Sequence, residues 1–390
     1  MTSVALANIA TLVTNSPDLG EGKLGHLTGK TLVIDNGAVA AITDSIPQGI
    51  DSQIDCTGKT VIPGFVDSHS HLVFAGDRSA EFAARSRGQR YTAGGIATTV
   101  AATRHASTQE LTENVSRLVN EALAHGTTTI EIKSGYGLTF DDEMRSLDIA
   151  AQFTDETTLL AAHVIPSEYS NHPEEYVDLI INSIIPAASA KWIDAFCDKG
   201  AFTEEQTLRI LKAGKAAGMQ PRIHANQLTR TRAIEIALEV GAASADHLSQ
   251  SSESDIAALA ASEVVATLLP GAEFSTHHEG NLGRRLIDAG ANVAIASDCN
   301  PGSSYTTSMP FCIAAAVSLL GFSVEEALYA ATAGGAQALR RNDIGHLRIG
   351  ARADLAILDA PSYIHLAYRP GINLIERTLK SGRVVTSWTK

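Results

Sequence analysis

The chain is poor in cysteine, with four in 390 residues. Cys56, Cys197, Cys299 and Cys312 form no Cys-x-x-Cys pair. That excludes a disulfide-stapled fold and a thiolate zinc ribbon, and predicts reduced, buried thiols. Positive charge is scarce too: 30 Lys and Arg against 43 Asp and Glu leave a formal charge of −13. No Lys/Arg cluster offsets this balance, which excludes nucleic acid as a partner and leaves an anionic ligand in need of a local cation. No apolar run approaches the roughly 20 residues of a membrane-spanning helix. Residues 4–13 are apolar, but the run is short and no basic residue precedes it. They read as a strand rather than a signal peptide, and the chain as cytoplasmic. Repeats and low-complexity tracts are absent.

What is present describes a soluble globular protein, with 44% hydrophobic and 19% charged residues. The length suits one large domain, or a large one with a smaller companion. Both ends are β-rich. Leu6 to Val13, Thr31 to Ile34 and Val39 to Thr43 read as strands, with Asn36-Gly37 as a turn. Ala353 to Leu358, Leu374 to Leu379 and Arg383 to Thr386 have the same texture around Ser381-Gly382. This predicts a composite β domain, a small sandwich of residues 1–60 and 351–390, around a different middle at 61–350.

That middle alternates apolar strands with helices. Eight strands are expected: Ile62 to Asp67, Thr127 to Ile132, Thr158 to Val164, Trp192 to Cys197, Gln220 to Ala225, Ala243 to Leu248, Val264 to Leu269 and Val293 to Ser297. Capping boxes at Ser107/Glu110, Thr203/Gln206 and Ser323/Glu326 open helices between or after them. Eight parallel strands separated by helices close most economically as an α/β fold of the (β/α)8 TIM-barrel type.

In such a barrel the chemistry lies at the C-terminal strand ends. The first strand runs into Pro63-Gly-Phe-Val-Asp-Ser-His-Ser-His71, and two residues apart on an extended chain His69 and His71 leave the same face. A lone His-x-His is a weak signal. Strand 3 adds His163, strand 5 His224, strand 6 His247 and strand 8 Asp298, so metal-friendly side chains converge on one rim.

The pattern resembles the amidohydrolase superfamily of metal-dependent hydrolases over the whole chain. The resemblance implies His69, His71, His224 and Asp298 as ligands, with His247 beside the metal. Binuclear relatives carry a carboxylated lysine on strand 4. Here that strand reads Trp-Ile-Asp-Ala-Phe-Cys-Asp and Lys133 ends strand 2, so one metal is expected. His/Asp ligation suits zinc and iron alike. A metal lowers the pKa of bound water towards roughly 7. Asp298 would take the proton and pass it to a leaving nitrogen, and His247 would orient the water or stabilise the oxyanion. Gln227 stands where some relatives have a base. It cannot abstract a proton, so substrate binding falls to it.

Five further motifs narrow the resemblance: His-Leu-Val-Phe-Ala-Gly-Asp-Arg, Glu-Ile-Lys-Ser-Gly-Tyr-Gly-Leu, Ala-His-Val-Ile-Pro-Ser-Glu-Tyr, Ser-Ala-Asp-His-Leu and Ser-Asp-Cys-Asn-Pro-Gly-Ser-Ser. They imply a cyclic-amide hydrolase of histidine degradation whose small anionic substrate carries a propionate. Arg78 would clamp that carboxylate with a bidentate guanidinium. Tyr136, His163, Gln227, Asn300, Gly302 and Ser303 would line the same pocket. His277 and His278 match no family feature and are expected to be loop residues. The superfamily also implies a homodimer. A nucleobase deaminase or another cyclic-amide hydrolase on the same scaffold, and a metal-free assembly protein, are the competing readings. The deaminase has no use for a carboxylate clamp, and the assembly protein typically loses ligands that are all present here.

Overall fold

Asn36-Gly37 and Ser381-Gly382 both adopt left-handed backbone, with φ of 51° and 80° in the first pair and 48° and 72° in the second. Two such residues in succession make the type I′ turn whose twist matches a hairpin. The turns join Lys30–Asp35 to Ala38–Thr43 and Ile375–Lys380 to Arg383–Ser387. The structure, a computed structural model, describes residues 3–88, 93–278 and 280–387.

The two hairpins belong to two mixed sheets. One orders Ala38–Thr43, Lys30–Asp35, Val4–Ile9 and Ser52–Asp55. The other orders Arg383–Ser387, Ile375–Lys380, Leu355–Leu358, Thr60–Pro63, Thr11–Val13 and His26–Leu27. One core of Leu6, Leu32, Ile34, Val61, Leu355, Ile357 and Leu379 draws on both sheets. The run expected as a single strand from Leu6 to Val13 is divided. Asn8 takes φ 57° and the register slips between Leu6 and Ile9, so the chain passes from the first sheet to the second.

The strand expected over Ile62 to Asp67 is divided as well. Thr60–Pro63 pairs antiparallel with Leu355–Leu358 in the β domain, while Phe65–Asp67 pairs parallel with Thr127–Ile130. Gly64 sits at the changeover, where a Cβ would fall 2.3 Å from Thr128 Oγ1.

From there eight parallel strands follow. After Phe65–Asp67 come Thr127–Ile130 continued by Ile132–Lys133, Thr157–Ala162, Trp192–Cys197, Gln220–Pro221 continued by Ile223–Ala225, Ser244–His247, Val265–Leu268 and Val293–Ile295. Each pairs with its predecessor. The ring closes beyond the last strand: Asp298 N–H donates to His69 O at 3.0 Å and His71 N–H to Cys299 O at 3.0 Å. The fold is a (β/α)8 TIM-type barrel with a separate β domain, and its seam runs through the His-x-His segment.

The helices start where their caps predict. Ser107 and Glu110 form a reciprocal box before Thr108–Ala124, whose Leu111, Val115, Leu118 and Ala122 make one buried stripe. Thr203/Gln206 and Ser323/Glu326 do the same for Glu204–Ala216 and Val324–Tyr329. Beyond the last of these, Gly334 and Gly335 lie flush against strands 8 and 1. A Cβ on either would come within 2.3 Å of Val293 O or 2.2 Å of Val66 O. The Ala333-Gly-Gly-Ala segment therefore serves packing.

Candidate metal centre and active site

Two residues apart past the end of strand 1, His69 and His71 bring their Nε2 atoms to 3.2 Å of each other. His224 Nε2, at the end of strand 5, lies 3.4 Å from His71 Nε2. Asp298 Oδ1 lies 3.5 Å from His69 Nε2 and 3.4 Å from His71 Nε2. A tetrahedron with metal–ligand bonds of about 2.0–2.1 Å has edges of roughly 3.3–3.4 Å, so these separations fit one ion. All four side chains are buried. Burial pushes His69 and His71 well below the ordinary histidine value, which keeps them neutral as ligands must be. The donor set fits a divalent metal.

The remaining ring nitrogens are fixed from behind. His69 Nδ1 lies 2.7 Å from Asp246 Oδ2 and His224 Nδ1 3.1 Å from Asp194. Such carboxylates set the tautomer and ring angle of a metal-binding imidazole. They are balanced in turn by two buried cations. Lys133 Nζ sits 2.8 Å from Glu131 and 3.0 Å from Asp194. Arg222 Nη2 donates to Ser68 O at 2.7 Å, reaches Asp246 at 3.5 Å, and its guanidinium lies over the Trp192 ring. Burial opposes the charge on Lys133, but Glu131 and Asp194 outweigh it and hold the ammonium above its ordinary value. None of these five charged residues stood out as a supporting shell in the sequence. The available signal was their place: charged side chains inside otherwise apolar strands, with Arg222 two before His224 and Asp246 next to His247.

His247 faces the same cluster, its ring 5.7 Å from His69 and 5.2 Å from His224. Burial pushes its pKa down to about 3, so it is a neutral imidazole at neutral pH. Burial pushes the Asp298 carboxyl up, against the pull of His247 and His224. The backbone here is unusual: Asn226, His247, Leu248 and Asp298 have φ of 51°, 77°, 67° and 51°. Non-glycine residues are held in that region at a cost, and such positions gather at active sites.

Around the cluster, Tyr136, His163, Gln227, His247, Asp298, Asn300 and Ser303 line one pocket. His163 stacks on His71 at 5.5 Å and donates from Nδ1 to Gly135 O at 2.8 Å, which leaves Nε2 as an acceptor. Tyr136 packs 5.2 Å from His163. Buried Glu143 shapes the loop that carries this tyrosine by accepting the Gly137 and Leu138 N–H groups at 3.0 and 2.8 Å. Asn300 shapes the strand 8 loop. Its Oδ1 accepts from Gly302 N and Ser303 N at 2.8 and 2.9 Å, and its Nδ2 donates to Ser303 Oγ at 2.9 Å.

Arg78 and Gly302 stand one step away, in a neighbouring cavity of about 390 Å³ that shares Ser303 with the pocket. Arg78 is buried, and its Nε and Nη2 donate to Glu81 at 2.8 Å each. Gly302 contributes space rather than free backbone groups. Its N–H goes to Asn300 and its carbonyl to Arg85 at 2.7 Å, while a Cβ there would lie 2.2 Å from Arg78 Nη1. Sequence reasoning did not find Glu81 or Arg85. His277 and His278 lie outside the metal cluster.

Residues 83–386 match the Amidohydrolase family. The imidazolonepropionase of Mycolicibacterium smegmatis is 56% identical over 389 residues, covering 99% of this chain and 98% of the relative. That of Streptomyces avermitilis is 54% identical, covering 98% and 96%. The chain belongs to the imidazolonepropionase family of amidohydrolases. Among solved structures, guanine deaminase from C. acetobutylicum with bound guanine superposes with a TM-score of 0.73 at 15% identity, covering 99% of this chain and 100% of that one. Atrazine chlorohydrolase from Arthrobacter aurescens TC1 complexed with zinc gives 0.72 at 16% identity, covering 98% and 95%. At that identity the likeness concerns the fold.

Proposed function

We propose that this protein hydrolyses the ring amide of 4-imidazolone-5-propanoate and releases N-formimidoyl-L-glutamate. The observation that carries the reading is the pairing of a hydrolytic His/Asp cluster with a buried arginine, joined through Ser303. The full-length similarity to imidazolonepropionases supports it. His69, His71, His224 and Asp298 would hold one zinc or iron ion, which would supply Lewis acidity and lower the pKa of water at the site towards neutrality. A single ion is favoured because Asp194 occupies strand 4 and Lys133 is engaged as a charged ammonium between Glu131 and Asp194. A carboxylated lysine needs a neutral amine.

The chain's own residues then do the rest. Arg78, already forked to Glu81 through Nε and Nη2, receives the propionate as a fixed cation rather than as the expected bidentate clamp, and sets where the ring lies against the His/Asp cluster. Tyr136, His163 and Ser303 hold the ring, with Gln227 donating or accepting at its edge. His247, neutral, steadies the attacking water and the developing oxyanion. Asp298 accepts the water's proton and returns it to the ring nitrogen as the C–N bond breaks. We assign this chemistry to a barrel of residues 61–350 and a scaffolding role to residues 1–60 and 351–390. A cytoplasmic homodimer completes the proposal. No described helix is long and apolar enough to cross a membrane.

The test is a direct assay. Metal-loaded protein should remove the absorbance of the imidazolone and leave a panel of nucleobases untouched. Ammonia release from a base, with the imidazolone absorbance unchanged, would overturn the reading in favour of a deaminase.

A further inference from the structure

Beside the pocket lies a second cavity of about 430 Å³, framed by the loops that follow strands 5, 6 and 7. The two share a wall made by Gln227 and His247. Into this second cavity projects Glu273, on the short helix Pro270–Thr276 after strand 7. Its side chain is 6% exposed. Oε1 accepts the Ser249 hydroxyl at 2.5 Å. Oε2 is buried and has no hydrogen-bond partner among the described residues, with His278 Nε2 4.0 Å away. A buried carboxylate oxygen without a donor is costly, and in a native structure such a group calls for a reason such as a catalytic role, a water or an ion. Nothing in the mechanism above uses this one.

The proposed reaction supplies a partner. Hydrolysis adds water across the ring amide. The carbonyl carbon gains the hydroxyl, the C–N bond breaks, and the nitrogen side becomes a substituted formamidine. That amidine is strongly basic, so the proton of the new carboxylic acid ends on it, giving a carboxylate and an amidinium. An amidinium is a planar cation with N–H donors, the natural complement of a carboxylate. If the propionate sits at Arg78 beside the strand 8 loop and the reacting carbonyl at the His/Asp cluster, as proposed above, the remaining N–C–N edge of the ring turns towards Gln227 and His247, the two residues that also line the cavity of Glu273.

We propose that Glu273 is a substrate-contacting residue whose Oε2 accepts an N–H of the formamidine edge and pairs with the amidinium as the ring opens, Ser249 fixing the carboxylate's orientation. The inference rests on the function proposed above. It gives the strand 7 loop, and the His277-His278 pair that follows, a place on the product side of the reaction.

Acetamidinium chloride serves as the probe. In the metal-loaded protein it should inhibit turnover of imidazolonepropionate. Glu273→Gln keeps the shape and removes the charge. It should weaken that inhibition about tenfold, the scale of a lost charge-assisted bond, and lower kcat by a similar factor with KM changed less than about twofold. Ser249→Ala frees the carboxylate without removing it, and should weaken acetamidinium inhibition by a smaller factor, about two- to fivefold. It also stands in if Glu273→Gln does not fold. Unaltered acetamidinium inhibition in either folded variant overturns the proposal, including the case where kcat falls for structural reasons alone. If the wild-type protein does not open the imidazolone, the function reading fails by itself. Calorimetric binding of acetamidinium to wild type and to Glu273→Gln then still decides the role of Glu273.

Discussion

In the proposed reaction Asp298 would carry two duties at once, ligand through Oδ1 and proton carrier through a carboxyl that burial pushes up. Its left-handed backbone aims it there, and Ser303 Oγ holds Oδ2 at 3.3 Å. Asp298→Ala should lower kcat by at least about 10²-fold, the usual cost of losing a general base, with an unchanged circular dichroism spectrum. Activity above about a tenth of wild type would remove it from that role. In the same proposal Arg78 acts at the other end of the substrate. Arg78→Ala should chiefly raise KM in steady-state kinetics, because a carboxylate clamp binds ground and transition states alike. A KM equal to wild type would place the clamp elsewhere. Glu81 makes this residue less simple than a free cation: the guanidinium is already forked to a carboxylate, so its position is set before substrate arrives.

At the scale of elements, each ligand is only as good as the strand beneath it. Strand 6 supplies both His247 and, one residue earlier, the Asp246 that orients His69 across the barrel. Asp246→Asn should therefore leave the ligand set intact and weaken metal affinity by about 10–100-fold, the usual cost of a lost orienting partner. Competition with a chromogenic chelator reads this directly, and affinity equal to wild type would reduce Asp246 to a structural charge. Strand 1 has its own constraint from the helix packed on it. Gly335 meets Val66 O, two residues before Ser68 and three before His69, so Gly335→Val must push a helix off strand 1. We expect a loss of about 1–3 kcal/mol from overpacking, measured as a lowered urea midpoint at unchanged slope. A midpoint equal to wild type would show that the helix yields freely.

For the whole molecule, a metal held by this cluster would also be a cross-brace. His69 and His71 follow strand 1, His224 ends strand 5 and Asp298 follows strand 8, so one ion would tie the seam of the barrel to its opposite side. A ligand that binds only the folded state stabilises it in proportion to the logarithm of its occupancy. Exhaustive chelation should abolish activity and lower the melting temperature by several degrees, and stoichiometric zinc or iron should restore both. Loss of activity with an unshifted melting curve would show a site that serves chemistry without bracing the fold. The β domain contributes differently. It takes strands from both ends of the chain into one core, so the chain leaves and rejoins it on either side of the barrel.

How much of this was legible in the sequence follows from the range of each force. Period-two and period-3.6 patterns, capping boxes such as Ser107/Glu110 and turns such as Asn36-Gly37 depend on neighbours within a few residues. They determined the strand–helix order, the barrel and the positions of His69, His71, His224, His247 and Asp298 at strand ends. Long apolar runs conceal a change of partner, which is why the divisions at Ala10 and Gly64 emerged only when the two sheets were built. The buried shell of Glu131, Lys133, Asp194, Arg222 and Asp246 is the clearest case. Each of these residues looks like an ordinary charge in its own strand, and only closure of the barrel turns the five into one compensated network beneath the ligands. Glu81 at Arg78 and Glu273 beside Gln227 belong with them. Local sequence chose which side chains could do chemistry; the tertiary structure decided which charges would face each other without water between them.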